Sequence, residues 1–182
     1  MKKLIAIFLL SIPLACFGQQ VYETTSGVVR FHSDAPQELI KASSNQLKGI
    51  IDIRKKTFAF RVGISSFLGF NSPLQREHFN ENYMETSFFP EASFSGKIIE
   101  EIDLSRDGEY VIRAKGKMKI HGVEQERIIR SLVVRKNGKI SIQSDFIVLL
   151  ADHSIKIPRL VSEKLSPEIN VSVNANFVQK NQ

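Results

Sequence analysis

Apolar and polar residues alternate with period two along most of this chain. In YVIRAKGKMKI, Tyr110, Ile112, Ala114, Gly116, Met118 and Ile120 fall on one side, and Arg113, Lys115, Lys117 and Lys119 on the other. Successive side chains of a strand point to opposite faces, so the segment reads as a half-buried strand. KISIQSDFIVLL repeats the pattern, with Ile140, Ile142, Phe146, Val148 and Leu150 sharing a face that also holds Ser144. EINVSVNANFV sets Ile169, Val171, Val173, Ala175 and Phe177 against Asn170, Ser172, Asn174 and Asn176. TFAFRVG groups Phe58, Phe60 and Val62. GVVRFHS and QLKGIIDIR are weaker strands, and ASFSGKIIEEI begins another after Pro90.

The connectors read as hairpin turns. Asn137-Gly138 is the strongest, since both residues tolerate positive φ, and Asp107-Gly108 and His121-Gly122 are of the same kind. Strands joined by tight turns run antiparallel. About eight strands are expected, the number at which a closed barrel holds side chains or one small ligand. Closure also removes exposed edges. Alternation alone does not separate a barrel from a two-sheet sandwich. Ala114 and Gly116 lie among larger inward residues, and either leave room for a ligand or make room for a neighbouring aromatic.

One stretch breaks the rhythm: FNSPLQREHFNENYMETSFFPEASFSG, from Phe70 to Gly96. Ser72 can cap a helix, Pro73 suits its first position, and Gln75 stands three residues after the cap. A short helix is expected from about Pro73 to Tyr83. Eight of the 13 phenylalanines lie between Phe58 and Phe94: Phe58, Phe60, Phe67, Phe70, Phe79, Phe88, Phe89 and Phe94. So much aromatic surface outside regular strands must pack on the sheet, close one end of it, or line an apolar pocket.

Composition narrows the class. MKKLIAIFLLSIPLACFGQQ has a basic start, an apolar core from Leu4 to Leu14 and small residues before Gln19-Gln20. That is a secretory signal layout, with an apolar run too short to span a bilayer. Cleavage is expected after Gly18, with lipidation at Cys16 as the rival reading. Residues 19–182 then form one domain of 182 − 18 = 164 residues, and the net charge falls from +6 to +4 with the loss of two lysines. The location expected is periplasmic or secreted. The single cysteine is Cys16, so the mature chain has no thiol for a disulfide, a zinc-thiolate site or a nucleophile. The mild positive charge is spread along the chain without the basic and aromatic clustering of nucleic-acid binders.

Arg76-Glu77-His78-Phe79, followed by Phe88-Phe89-Pro90-Glu91-Ala92-Ser93-Phe94-Ser95-Gly96 and then GKMKIHGV from Gly116 to Val123, resembles the signature of the YceI-like family of bacterial exported proteins. The resemblance covers essentially the mature chain. The family's usual N-terminal His-Ser is here Thr25-Ser26, and its Ser-Asp-Phe strand survives as Ser144-Asp145-Phe146 or gives way to Asp152-His153-Ser154. The resemblance implies an all-β, antiparallel lipocalin-like barrel with a short helix between strands. It also implies a polyisoprenoid or similar long-chain lipid held along the barrel axis. Such a ligand needs only apolar contacts, at roughly 25 cal/mol per Å² buried.

The histidines are His32, His78, His121 and His153, with no HxH or HExxH spacing, so a metal site would need distant residues to converge. His78 is expected to dock the helix or close a pocket, Arg76 and Glu77 to face water, and His121 to be exposed in its turn. Asp152-His153-Ser154 resembles a triad only on paper, since adjacent residues of an extended chain point to alternate sides. No G-x-S-x-G elbow or phosphate loop occurs. The expectation is a non-enzymatic carrier without cofactor, metal or nucleic acid, not spanning a membrane, with a homodimer left open. Its ligand would meet Phe58, Phe60, Phe67, Phe70, Leu74, His78, Phe79, Phe88, Phe89, Phe94, Met118 and Ile120. An enzyme acting on a lipid or quinone in the same cavity, or a barrel filled by its own side chains, are the alternatives.

Overall fold

The computed structural model describes residues 20–180. The signal peptide expected over residues 1–18, and Cys16 with it, lie outside the described residues. Eight strands are present: β1 (Val21–Asp34), β2 (Leu39–Asp52), β3 (Thr57–Gly63), β4 (Glu91–Ile98), β5 (Gly108–Ile120), β6 (Val123–Lys136), β7 (Lys139–Leu149) and β8 (Glu168–Gln179). Each pairs antiparallel with the next, and β8 returns to β1, so the sheet closes into a barrel. The choice between barrel and sandwich is settled for the barrel.

The tight turns follow their chemistry. His121-Gly122 and Asn137-Gly138 have positive φ at both residues, the backbone that matches the twist of a two-residue hairpin. Asp107-Gly108 is not such a turn. Its strands are separated by residues 99–107, and Gly108 is the first residue of β5. Gly96 and Gly116 are opposite one another in the β4–β5 ladder. A Cβ on Gly116 would run into the Ser95 carbonyl and the Gly96 backbone. Gly116 therefore permits close strand approach and opens no space for a ligand. Ala114, two residues away, does face the interior cavity.

The two ends of the barrel differ. At the base lie the first and last described residues, Gln20 and Lys180, and the connections 53–56, 99–107 and 137–138. Tyr22, Ile53 and Leu104 are buried there. The Arg135 guanidinium stands 5.4 Å from the Tyr22 ring centroid and donates from Nη1 to the Leu104 carbonyl at 3.1 Å. This plug seals the base. At the other end lie the long connections, residues 64–90 and 150–167, and the β1–β2 turn.

On the side away from β1, strand β2 pairs with β3 only over Lys48–Asp52, which leaves that edge of its upper part without a strand partner. Residues 64–71 cover that edge, with Ser43 and Leu68 exchanging backbone bonds of 2.8 and 2.9 Å. An uncovered edge would be a pairing hazard, and this excursion removes it.

Candidate functional site: an apolar cavity with one mouth

The excursion from β3 to β4 is built as expected at its start. Helix α1 (Pro73–His78) is capped by Ser72, whose Oγ accepts from Gln75 N at 3.1 Å. It then widens into a π-helical turn, Phe79–Tyr83, so the expected span is helical throughout but not α-helical throughout. The widening lets Phe79 reach into the barrel while Met84 is buried. Arg76 Nη2 donates to the Ser65 carbonyl at 3.0 Å, so it stitches the helix to the preceding turn and is not merely solvated.

Under this lid lies a cavity of about 560 Å³. That falls in the range, roughly 300–1,000 Å³, of pockets that enclose a small molecule. Its wall comes from all eight strands and from both upper connections. Ile51, Ile98, Ile112, Val133 and Ile140 line its depth, and Phe31, Phe67, Phe70 and Phe79 its upper part. Phe79 stacks on Phe31 with centroids 5.4 Å apart and lies 5.0 Å from Phe70. Lower down, Phe58 contacts Phe60 at 5.8 Å and Phe94 at 5.0 Å. Tilted and stacked aromatic pairs at these distances hold the wall in place.

Polar groups are few and sorted by depth. Glu38, Arg61, Ser72, Gln75, His78 and Lys164 line the mouth. Deeper, Ser144 Oγ–H donates to Ser131 Oγ at 2.7 Å, and both serines are buried. Each thereby offsets the other's desolvation within an otherwise apolar wall. Tyr83 also lines the cavity, and burial raises its phenol above the ordinary value, so it stays neutral. No group of three or more His, Cys, Asp or Glu side chains that could hold a metal occurs among the described residues.

Of the expected contact residues, Phe58, Phe60, Phe67, Phe70, Leu74, His78, Phe79, Phe94, Met118 and Ile120 line the cavity. Phe88 and Phe89 do not. Phe88 is 76% exposed, and the Phe89 ring packs edge-on against His121, centroids 4.7 Å apart, and over Gly122. Phe89 thus fastens the lid to the β5–β6 turn from outside. His121 belongs to the same fastening and is not exposed. Its Nε2 faces Glu85 Oε2 at 2.6 Å and its Nδ1 faces the His153 carbonyl at 3.1 Å.

Asp152-His153-Ser154 is not extended chain but a 3₁₀ turn ending in Ser154 with left-handed φ of 60°. The His153 ring is fully buried, with Nδ1 3.1 Å from the Val123 carbonyl and no hydrogen-bond partner for Nε2. Burial lowers its pKa, so the neutral ring is favoured, and no serine meets it. The residue is a packing piece under the rim.

Val29 and Phe31 line the cavity but lie on GVVRFHS, which reads only as a weaker strand, and they were left off the expected list. Ser131, Leu150, Ile155 and Val161 were also missed. Leu150 reads on the inward face of its strand but was not carried to the list, and Ile155 and Val161 sit in an irregular connection, where no periodicity points inward.

A family model described as YceI-like domain matches residues 22–177. No curated protein matches the sequence. Among solved structures, a polyisoprenoid binding domain from Saccharophagus degradans implicated in plant cell wall breakdown superposes with a TM-score of 0.74 at 14% identity, covering 90% of this chain and 100% of that one. BcnA of Burkholderia cenocepacia gives 0.67 at 11% identity, covering 82% and 95%. A YCEI protein of Campylobacter jejuni gives 0.53 at 14% identity, covering 100% and 94%. At such identities the likeness is one of fold.

Proposed function

The chain belongs to the YceI-like domain family, matched over residues 22–177, and on that premise we propose that it is an exported, non-enzymatic carrier of a long apolar lipid, of the polyisoprenoid or fatty-acyl class. The observation that carries this reading is the cavity itself: about 560 Å³, lined by aromatic and aliphatic side chains, open at one end and plugged at the other. A hydrocarbon tail entering it gains roughly 25 cal/mol per Å² of apolar surface removed from water. A headgroup would remain beside Glu38, Gln75, His78 and Lys164 at the mouth.

The distribution of polar groups favours binding over turnover. The ionisable residues lining the cavity are Glu38, Arg61, His78, Tyr83 and Lys164, all in the upper part, and the deep hydroxyls of Ser131 and Ser144 are spent on each other. General acid–base work needs a group within hydrogen-bond reach of the reacting atom, and the depth offers none among the described residues. The polyisoprenoid binding domain that shares the fold supports the choice of ligand class. The N-terminal residues Met1–Gly18 support export.

Native mass spectrometry of protein purified from its host is expected to find a lipid that organic extraction releases. Protein that is always ligand-free and takes up no fluorescent apolar probe would overturn the reading. Fractionation of the host is expected to recover the chain outside the cytoplasm, shortened by 18 residues.

A further inference from the structure

Three segments meet around the mouth and are bound to each other. Gln75 Nε2 of α1 donates to Glu38 Oε1 of the β1–β2 turn at 2.9 Å, and Gln37 N of that turn donates to the Glu163 carbonyl at 2.9 Å. The third segment carries the 3₁₀ turn Arg159–Val161. Val161 lines the cavity, while its neighbour Leu160 is 94% exposed. Across the opening, Leu74 lines the same cavity and is 57% exposed. One exposed leucine is ordinary on a protein surface. Here two of them carry the apolar character of the interior out to the tips of the rim.

The rim also carries charge. Lys156, Arg159 and Lys164 are exposed and form no ion pair among the described residues. The acid between them is Glu163, and Glu38 is held by the side-chain amides of Gln75 and Asn71.

We propose that the mouth docks on an anionic phospholipid bilayer, with Leu160 and Leu74 entering the headgroup–acyl boundary and Lys156, Arg159 and Lys164 facing lipid phosphates. Apolar tips framed by cations are the pattern of a surface that lies on a membrane interface. The docking rests on the carrier reading, to which it adds the partner. Ligand then passes between bilayer and cavity without crossing water.

The test uses residues 19–182, which contain every strand of the barrel. Flotation is expected to show binding to vesicles of phosphatidylcholine mixed with phosphatidylglycerol, weakened by salt, and little binding to phosphatidylcholine alone. Lys156→Ser and Arg159→Ser are each expected to lower binding about fivefold, and Leu160→Ser about tenfold. None of these three side chains lines the cavity, so uptake of a fluorescent fatty acid from buffer is expected to be unchanged. Uptake from vesicles should slow in step with lost binding. Failure of the parent chain to bind anionic vesicles, or Leu160→Ser binding as the parent does, overturns the docking. So does a dimer in sedimentation that Leu160→Ser dissolves, which would give the rim to a second copy. A parent chain that binds vesicles but takes up no fatty acid from either source instead overturns the carrier reading.

Discussion

Gly96 and Gly116 face each other across β4 and β5, with no room for a Cβ on either. Overpacking between fixed backbones leaves nothing flexible to move, so Gly116→Ala should lose about 1–3 kcal/mol in urea unfolding. Gly63→Ala is the matched control. Gly63 has extended φ of −72° and nothing within 4 Å of its added Cβ, so a change within about 0.5 kcal/mol is expected. His153 gives a second prediction at this scale. Its pKa is lowered in the folded chain from 6.5, chiefly by burial, so below pH 6.5 the unfolded chain binds more protons. Its contribution is therefore complete above pH 6.5 and lost as the pH falls towards the depressed folded value. His153→Gln should flatten the acid limb of stability against pH in urea titrations. Asp152, Arg127 and His121 surround the ring and remain in both proteins, so the difference in slope belongs to His153.

Strands were the most legible elements. Inward positions Ile140 to Leu150 and Phe58 to Val62 could be read directly, because one wet and one dry face forces alternation. The helix start was equally plain from Ser72, Pro73 and Gln75. The route after Phe79 was not. Whether an aromatic there faces the cavity or clamps the outside depends on partners far along the chain, and Phe89 finds its own at His121. The lid is held on that side by Phe89 and by Glu85 on His121. Glu85→Ala should therefore speed exchange of a bound apolar probe, measured by stopped-flow fluorescence, several-fold more than Glu85→Gln, which keeps a hydrogen-bonding side chain there. Phe79→Ala removes the ring that contacts Phe31, Phe67 and Phe70. It should cost about 2–4 kcal/mol in thermal or urea unfolding and also quicken exchange.

The closed barrel as a whole separates stability from binding. Strand pairing, the base plug and the glycine contact lie in or beneath the wall, while the void is left to the ligand. Ala114→Phe places a ring in that void from the middle of β5. The barrel's far-ultraviolet circular dichroism should be kept, while affinity for an apolar probe falls at least about tenfold. The parent chain should melt at a higher temperature with ligand present, and the variant should show no such rise. Closure and strand number could be anticipated from turn chemistry and edge avoidance. The existence of a void could not, because the same inward residues would fill a slightly narrower barrel.

The first and last described residues meet at the plugged base, where Lys180 N donates to the Val21 carbonyl at 2.9 Å. A strand of 14 residues, tilted as barrel strands are, spans roughly 35 Å from that base to the opposite rim. Anything joined ahead of Gln20 would thus attach beneath the barrel, on the side turned away from the opening.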